Sequence, residues 1–247
     1  MGVLAPKPAN HLLLLLLPAL VGLNACTGLR TLDNPIGSGK SEASSSEAAL
    51  YLDAVRSLMA QGQFYAALAH IQEDRRAHGD SPELRLLEAD ARRNLGQPRE
   101  AEALYRGLLN GPQAGAAKHG LGRLYASRDL ATAIRYLREA SLLRPTDVDV
   151  RNDLGYALMQ AGRYREAKPE LATAAELAPG EAKGRNNLLI LLILMRDEAA
   201  VRRIADQSGL DATALARLRA QAQSLKQNAN SPTTGDRQNT SRTGGAG

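Results

Sequence analysis

The chain has 247 residues, a formal net charge of +5, 44% hydrophobic residues and only 3% aromatic residues. A composition rich in Ala and Leu and poor in aromatic residues favours helices over sheets, and this length suits one elongated repeat domain better than two globular domains. The arginines are spread over predicted helix surfaces without a basic stripe or stacking aromatics, so the charge does not indicate a nucleic-acid-binding surface. Cys26 is the only cysteine, which excludes disulfides within the chain and thiol catalysis.

The N-terminal segment predicts export and anchoring. Lys7 precedes a short apolar core that begins at residues 12–17, and small residues lead up to Cys26. Such a run is typical of a signal peptide and is too short for a membrane-spanning helix. The Leu-Asn-Ala-Cys ending resembles a bacterial lipobox, which implies removal of residues 1–25 and lipidation of Cys26; the alternative is an ordinary signal peptide, or a tail-like anchor, with an incidental cysteine. Thr27 rather than Asp follows, which resembles outer-membrane lipoproteins, so we expect an outer-membrane, lipid-anchored protein that faces the periplasm.

Residues 26–47 are predicted to carry the lipid and form a flexible tether. They contain Pro35, several glycines and a run of serines, without an apolar stripe at helical spacing. A Gly-Lys-Ser run at 39–41 resembles the end of a phosphate-binding loop, but Asn34 stands where the first glycine is needed and no strand precedes it. We therefore expect no nucleotide and no other cofactor.

Helical hairpins repeat along the rest of the chain. Residues 148–181 show two apolar stripes at helical spacing on either side of Gly162, and Pro179 stands where the second helix should stop. This arrangement matches the tetratricopeptide repeat (TPR), whose period is 34 residues, and predicts an all-α TPR superhelical solenoid of four to five helical hairpins with a concave inner wall. The alanines at the close-packing position recur at spacings of 34, 32 and 34, at Ala67, Ala101, Ala133 and Ala167.

Several residues mark the predicted limits of the repeats. Ser81 with Pro82 is a helix start, Thr146 with Asp149 has capping-box spacing, and Arg196 replaces the turn glycine of the last repeat, which puts that turn in question. The predicted segments are TPR 1 at 48–81, TPR 2 at 82–113, TPR 3 at 114–147, TPR 4 at 148–181, a degenerate TPR 5 with a C-terminal capping helix at 182–226, and a disordered tail at 227–247.

Residues 188–195 form an uninterrupted apolar run that requires a cover. The run is too short to span a membrane and too apolar for an exposed helix. Either the final predicted helix, with its stripe of Leu215, Leu218 and Ala222, or a partner protein could cover it. We favour the final helix, because terminal caps keep solenoids soluble.

No set of residues in the sequence indicates catalysis. His70 and His78 fall in TPR 1 and His119 falls in TPR 3, without metal-ligand spacing, and no Gly-x-Ser-x-Gly motif occurs. We therefore predict no enzyme, no bound metal and no small-molecule substrate.

Similarity to TPR proteins implies a protein-binding groove lined by the first helix of each repeat, at positions 5, 9 and 12 counted from the repeat start. Asparagine amides can both donate and accept hydrogen bonds, and Tyr, Met and Ile side chains can contact apolar residues of a bound segment. The alternative is that the asparagines only satisfy hydrogen bonds between helices. The predicted groove residues are His119, Arg123, Asn152, Tyr156, Met159, Asn186, Ile190 and Ile193.

Two stretches carry a narrower resemblance. Residues 151–167, RNDLGYALMQAGRYREA, and 185–205, RNNLLILLILMRDEAAVRRIA, are similar to the tight-adherence (Flp-type) pilus assembly lipoprotein family. The resemblance extends over roughly residues 12–226 and implies a pilotin-like role, in which the partner is a secretin subunit or another pilus or secretion component. The alternative function is an adaptor for a periplasmic protease or cell-wall hydrolase.

Overall fold

The computed structural model describes the backbone of residues 38–230 and the side chains of residues 49–227. The repeats belong to one compact unit that begins at Glu42. The predicted signal peptide, Cys26 and residues 231–247 of the predicted tail lie outside the described residues. Within the described part every regular element is a helix: α1 Ser38–Ala60, α2 Phe64–His78, α3 Pro82–Asn94, α4 Pro98–Gly107, α5 Ala114–Tyr125, α6 Leu130–Leu143, α7 Val148–Gln160, α8 Tyr164–Leu177, α9 Ala182–Leu194, α10 Glu198–Gln207 and α11 Ala212–Asn230.

The helices form successive hairpins, and each hairpin packs on the next. Helices α3 and α4, α5 and α6, and α7 and α8 pair within hairpins, while α2 packs on α3, α4 on α5, α6 on α7 and α8 on α9. The predicted all-α TPR superhelical fold is therefore confirmed. The alanines expected at the close-packing position are all fully buried, at Ala67, Ala101, Ala133 and Ala167.

Helix α1 begins earlier than the sequence predicted. It starts at Ser38, so residues 38–47, which we expected to belong to a flexible tether, are helical. This segment has no glycine or proline after Gly39, and its Glu and Ala residues are good helix formers. The absence of an apolar stripe therefore did not signal a loop.

The first and second helices of a hairpin approach closely where the sequence places glycine. A Cβ added at Gly122 would lie 2.5 Å from Leu137 Cγ, and one at Gly155 would lie 2.5 Å from Leu171 Cγ. Both contacts are shorter than real Cβ atoms tolerate. Gly122 and Gly155 therefore set how closely the two helices pack in the third and fourth repeats.

In four of the hairpin turns, the residue at the same turn position has a left-handed backbone conformation. Gly62, Gly96 and Gly162 have φ angles of 73°, 71° and 70°, and Arg196 has a φ of 60°. Arg196 donates its amide to the Ile193 carbonyl at 3.0 Å, as Gly162 does to Met159 at 3.0 Å. The turn that we questioned therefore forms with the same geometry, although a non-glycine residue occupies the left-handed position.

Side-chain caps start several helices. The Ser81 hydroxyl accepts the Leu84 amide at 3.1 Å, which agrees with the predicted start of α3. At α7 the cap is Asp147, whose carboxylate accepts the Val150 amide at 3.0 Å, and not the predicted Thr146. Asp ranks above Thr as a capping residue, so the chain enters the helix one residue later.

The apolar run of α9 is covered by the chain itself. Leu189, Leu191 and Leu192 are buried in one cluster with Leu218 and Ala222 of α11. Helix α11 packs directly on α9. The prediction of an internal cover is confirmed, and α11 ends the stack as a capping helix.

Candidate functional site

Three adjoining cavities follow one another along the first helices of the repeats, and we call them together the inner groove. The first is lined by α1, α3, α5 and the start of α2, the second by α3, α5, α6 and α7, and the third by α7, α9 and α11. Arg93 and Arg123 border both the first and second cavities, whereas Tyr156 and Gln160 border both the second and third. These shared walls make the three cavities one continuous, open surface.

The first cavity has a volume of about 320 Å³ and combines positive charge with apolar side chains. Arg56, Met59 and Phe64 line it on the side of the first repeat, and Asp90 and Arg93 line it on the side of the second. Asp90 accepts a hydrogen bond from the Tyr105 hydroxyl at 2.6 Å, which fixes this carboxylate within its own repeat.

The second cavity, of about 430 Å³, lies at the centre of the inner groove. Arg93, Arg123, Asp153, Tyr156 and Gln160 are among the side chains that line it. Asp153 is already occupied by partners of its own, whereas the two arginines lack a carboxylate at hydrogen-bonding distance: Arg93 lies 3.8 Å from Asp90, and Arg123 lies 3.8 Å from Asp153.

The third cavity, also of about 430 Å³, is lined entirely by uncharged side chains. Tyr156, Ile190 and Leu225 supply apolar surface, while Asn187 and Ser224 supply hydrogen-bonding groups. The capping helix α11 thus forms one wall of the groove as well as the end of the stack. The groove changes along its length from positively charged to neutral.

A polar ladder joins the first helices of the third, fourth and fifth repeats. Two of its members, Asp153 and Asn187, also line the inner groove. His119 Nε2 lies 2.9 Å from Asp153 Oδ2, and Lys183 Nζ lies 3.5 Å from Asp153 Oδ1. Asn187 donates to the Asn152 amide oxygen at 2.8 Å, and Asn152 donates to Asp153 at 3.3 Å. These bonds hold the groove-forming helices in register.

Burial alone would raise the pKa of Asp153. The hydrogen bond with His119 and the positive charges of Lys183 and Arg123 outweigh this effect, so the pKa of Asp153 lies below its ordinary value. Asp153 is therefore ionised at neutral pH and anchors the ladder.

Three of the predicted groove residues border the inner groove. Arg123 lines the first and second cavities, Tyr156 the second and third, and Ile190 the third. All three are position 9 residues of their repeats.

The other five predicted residues do not border these cavities. His119 is held in the ladder by Asp153, and Asn152 is only 2% exposed and bonded to Asn187. The hydrogen bonds of Asn152 therefore favour the alternative interpretation, in which the amide joins helices. Met159 is buried in the core and Ile193 packs against the core.

Asn186 faces a different cavity. It lines a space of about 270 Å³ between α9 and α11, together with Arg185 and Arg217. Its side-chain oxygen and the Arg185 Nε are buried without a hydrogen-bond partner. Asn152 and Asn186, which lie 34 residues apart in the sequence, therefore do not form a row along the groove.

The predicted residues that lie outside the groove were misplaced because the helical register was predicted one residue too early. Successive helix residues point about 100° apart, so a shift of one position turns a groove residue into an interface residue. Three of the groove side chains that we missed, Asp153, Gln160 and Asn187, each follow a predicted position by one residue. One signal was present in the sequence: His119, Asp153 and Asn187 are spaced at the repeat period of 34 residues.

Neither a metal-ligand cluster nor a membrane-spanning helix is found in the described residues. Among the described residues, no group of three or more His, Cys, Asp and Glu side chains is placed to hold a metal ion. None of the helices in the described range combines the length and apolar character needed to cross a bilayer.

Comparison with known proteins agrees with this architecture. The tetratricopeptide repeat family model matches residues 124–188. The TPR repeat-containing protein PA4299 of Pseudomonas aeruginosa is 37% identical over 212 residues, which cover 83% of this chain and 85% of that protein.

Two solved structures share the fold. The pilF protein of Pseudomonas aeruginosa aligns with a TM-score of 0.60 at 18% identity, over 76% of this chain and 89% of that chain. TTC0263, a thermophilic TPR protein of Thermus thermophilus, aligns with a TM-score of 0.54 at 20% identity, over 73% of this chain and 99% of that chain. The chain therefore belongs to the TPR repeat-containing proteins, a family whose stacked hairpins generally serve as non-catalytic scaffolds for protein partners.

Proposed function

We propose that the protein is an outer-membrane lipoprotein that binds a secretin subunit through its inner groove during pilus or secretion-system assembly. In this role it acts as a pilotin-like scaffold and forms or breaks no covalent bond. The partner contributes one extended or helical segment, and the groove contributes the side chains of five first helices and α11.

The observation that carries this proposal is the continuity of the inner groove. Three cavities of about 320, 430 and 430 Å³ share walls and run across successive repeats. An open surface of this length, with alternating apolar and hydrogen-bonding side chains, suits a peptide segment better than a compact small molecule. Tyr156 lies at the junction of two cavities, where an aromatic anchor contributes most to binding.

The assignment to pilus assembly is supported by two similarities. Residues 151–167 and 185–205 resemble the tight-adherence pilus assembly lipoproteins, and the pilF protein of Pseudomonas aeruginosa shares the fold. Anchoring rests on the lipobox-like ending at Cys26. Several acyl chains on that residue would hold the protein firmly at a membrane, because each buried methylene contributes about 0.8 kcal/mol.

The groove can be tested by capture of the secretin from detergent-solubilised envelopes. We expect the full-length lipidated protein to retain the secretin, and Tyr156→Ala to weaken capture by about tenfold or more, as for other buried aromatic anchors. Arg165→Ala is the matched control, because Arg165 is exposed on α8, which contributes no side chain to the three cavities. Equal capture by wild type and Tyr156→Ala would refute the groove assignment. Capture of a protease or cell-wall hydrolase in place of the secretin would favour the adaptor function.

Anchoring needs a separate test. Radiolabelled palmitate should be incorporated into the wild-type protein and not into Cys26→Ser, and only the wild type should fractionate with the outer membrane. A Cys26→Ser protein that still reaches the outer membrane would contradict a lipid anchor.

A further inference from the structure

The central cavity of the inner groove contains two arginines without a close acidic partner. Arg93 is only 14% exposed, yet its nearest carboxylate contact is Asp90 at 3.8 Å, and its other polar contact is the Tyr105 hydroxyl at 3.4 Å. Arg123 is 46% exposed, and its nearest carboxylate contact is Asp153, also at 3.8 Å. Neither distance is that of a charge-assisted hydrogen bond.

Other arginines in the described residues have the close carboxylate contact that Arg93 and Arg123 lack. Between helices, Arg75 reaches Glu88 at 2.7 Å and Arg151 reaches Glu170 at 2.7 Å, and within α3 Arg92 reaches Glu88 at 2.7 Å. A partly buried guanidinium normally acquires a carboxylate at this distance, because its planar fork matches the two oxygens. Arg93 and Arg123 instead border an open cavity.

The acidic residues beside this cavity are not free to turn toward the arginines. Asp90 accepts the Tyr105 hydroxyl at 2.6 Å. Asp153 is held by His119 at 2.9 Å and accepts a hydrogen bond from Asn152 at 3.3 Å. The positive charge of the cavity is therefore available to a bound group.

We propose that the cavity between Arg93 and Arg123 binds an acidic side chain of the protein segment that occupies the inner groove. This inference rests on the proposed function of the groove and adds the chemistry of the segment. Because the adjoining third cavity is uncharged and is lined by Tyr156, Ile190 and Leu225, the same segment carries apolar residues beside its Asp or Glu. The segment therefore lies in one orientation, with its acidic part toward α3 and α5 and its apolar part toward α9 and α11.

Selection from a displayed library of random peptides, each about 16 residues long, tests this directly. We expect peptides selected on the wild-type protein to be enriched in Asp or Glu at a constant spacing from an apolar pair. Selection on Arg123→Gln should lose the acidic enrichment and keep the apolar one. Arg123 serves as the first variant because its side chain is largely exposed and its only ion-pair contact is the long one to Asp153, so that its replacement leaves the fold intact. Arg93→Gln provides the second variant, with circular dichroism as the check on folding.

A selected peptide and its Glu→Gln counterpart then give a quantitative test by fluorescence anisotropy. The counterpart should bind the wild-type protein at least about tenfold more weakly, and both peptides should bind Arg123→Gln with similar affinity. Arg123→Lys should restore part of the difference, because a lysine provides charge without the planar fork. Selected peptides without acidic enrichment, or a preference for Glu over Gln that persists in both arginine variants, would overturn the inference. The outcome is independent of whether the natural partner is a secretin, so this inference and the proposed function can fail separately.

Discussion

Replacement of Arg196 by glycine should stabilise the protein. Arg196 has a φ of 60°, in the left-handed region, and occupies the turn position that Gly62, Gly96 and Gly162 hold in other hairpins. Its amide and that of Asp197 make the same two turn hydrogen bonds, at 3.0 and 2.9 Å, as the residues around Gly162 do at 3.0 and 2.9 Å. Arg196→Gly therefore changes the conformational cost of the turn and none of its backbone hydrogen bonds.

The magnitude follows from two opposing contributions. A left-handed conformation costs a residue with a Cβ about 1–2 kcal/mol. Glycine loses more backbone entropy on folding, which offsets about 0.5–1 kcal/mol of the gain. The net stabilisation therefore lies between about 0 and 1.5 kcal/mol, and a gain of about 1 kcal/mol raises the melting temperature of a domain of this size by about 2–4 °C.

Thermal unfolding followed by circular dichroism measures this change, and Gly162→Ala is the matched control. No atom lies within 4 Å of a Cβ added at Gly162, so this substitution introduces only the backbone cost. We expect Arg196→Gly to raise the melting temperature and Gly162→Ala to lower it by a similar amount. A lower or unchanged melting temperature for Arg196→Gly would refute the reasoning, because the arginine side chain would then stabilise the turn by more than its backbone costs.

Three further substitutions test the packing and the ladder. Gly155→Ala should destabilise the protein by about 1–3 kcal/mol in urea unfolding, because the new Cβ would meet Leu171 Cγ at 2.5 Å; full stability would mean that the helices can separate without cost. Asn152→Ala should cost about 0.5–1.5 kcal/mol, because it removes the hydrogen bond between the buried Asn152 amide oxygen and Asn187, and an unchanged midpoint would show that Asn152 is not structural. Because the folded-state pKa of Asp153 is lowered, its contribution to stability is full at neutral pH and is lost as the pH falls through that pKa. The stability difference between wild type and Asp153→Asn should therefore be largest near neutral pH and close under acidic conditions, and a difference that does not depend on pH would contradict this role.

The fold was predictable because repeat structure is local. Each hairpin contacts mainly its neighbours, so the period of the alanines and turn glycines carries the architecture without any knowledge of distant contacts. The internal cover of α9 was predictable for a related reason, since an apolar helix must be buried and Leu218 with Ala222 formed the nearest stripe. The start of α1 at Ser38 was missed because its Ser-rich first turns carry no apolar pattern, although their residues are compatible with a helix.

The groove was only partly predictable because it depends on helix rotation. Arg123, Tyr156 and Ile190 were placed correctly at the inner groove, whereas Asn152 was assigned to it and lies in an interface. A repeat pattern predicts the buried face of a helix to within about one residue. A shift of one residue is enough to move a side chain from the inner groove to a helix interface. The contribution of α11 to the groove could not be derived from the repeats that precede it, because it depends on how the capping helix packs on α9.

The most direct test of the central claim is site-specific photo-cross-linking in intact cells. A photoreactive phenylalanine at Gln160, which borders the second and third cavities, should form an adduct with a protein partner. The same residue placed at Arg165 on α8, outside the three cavities, should form none. An adduct from position 165 with none from position 160 would contradict a protein-binding inner groove.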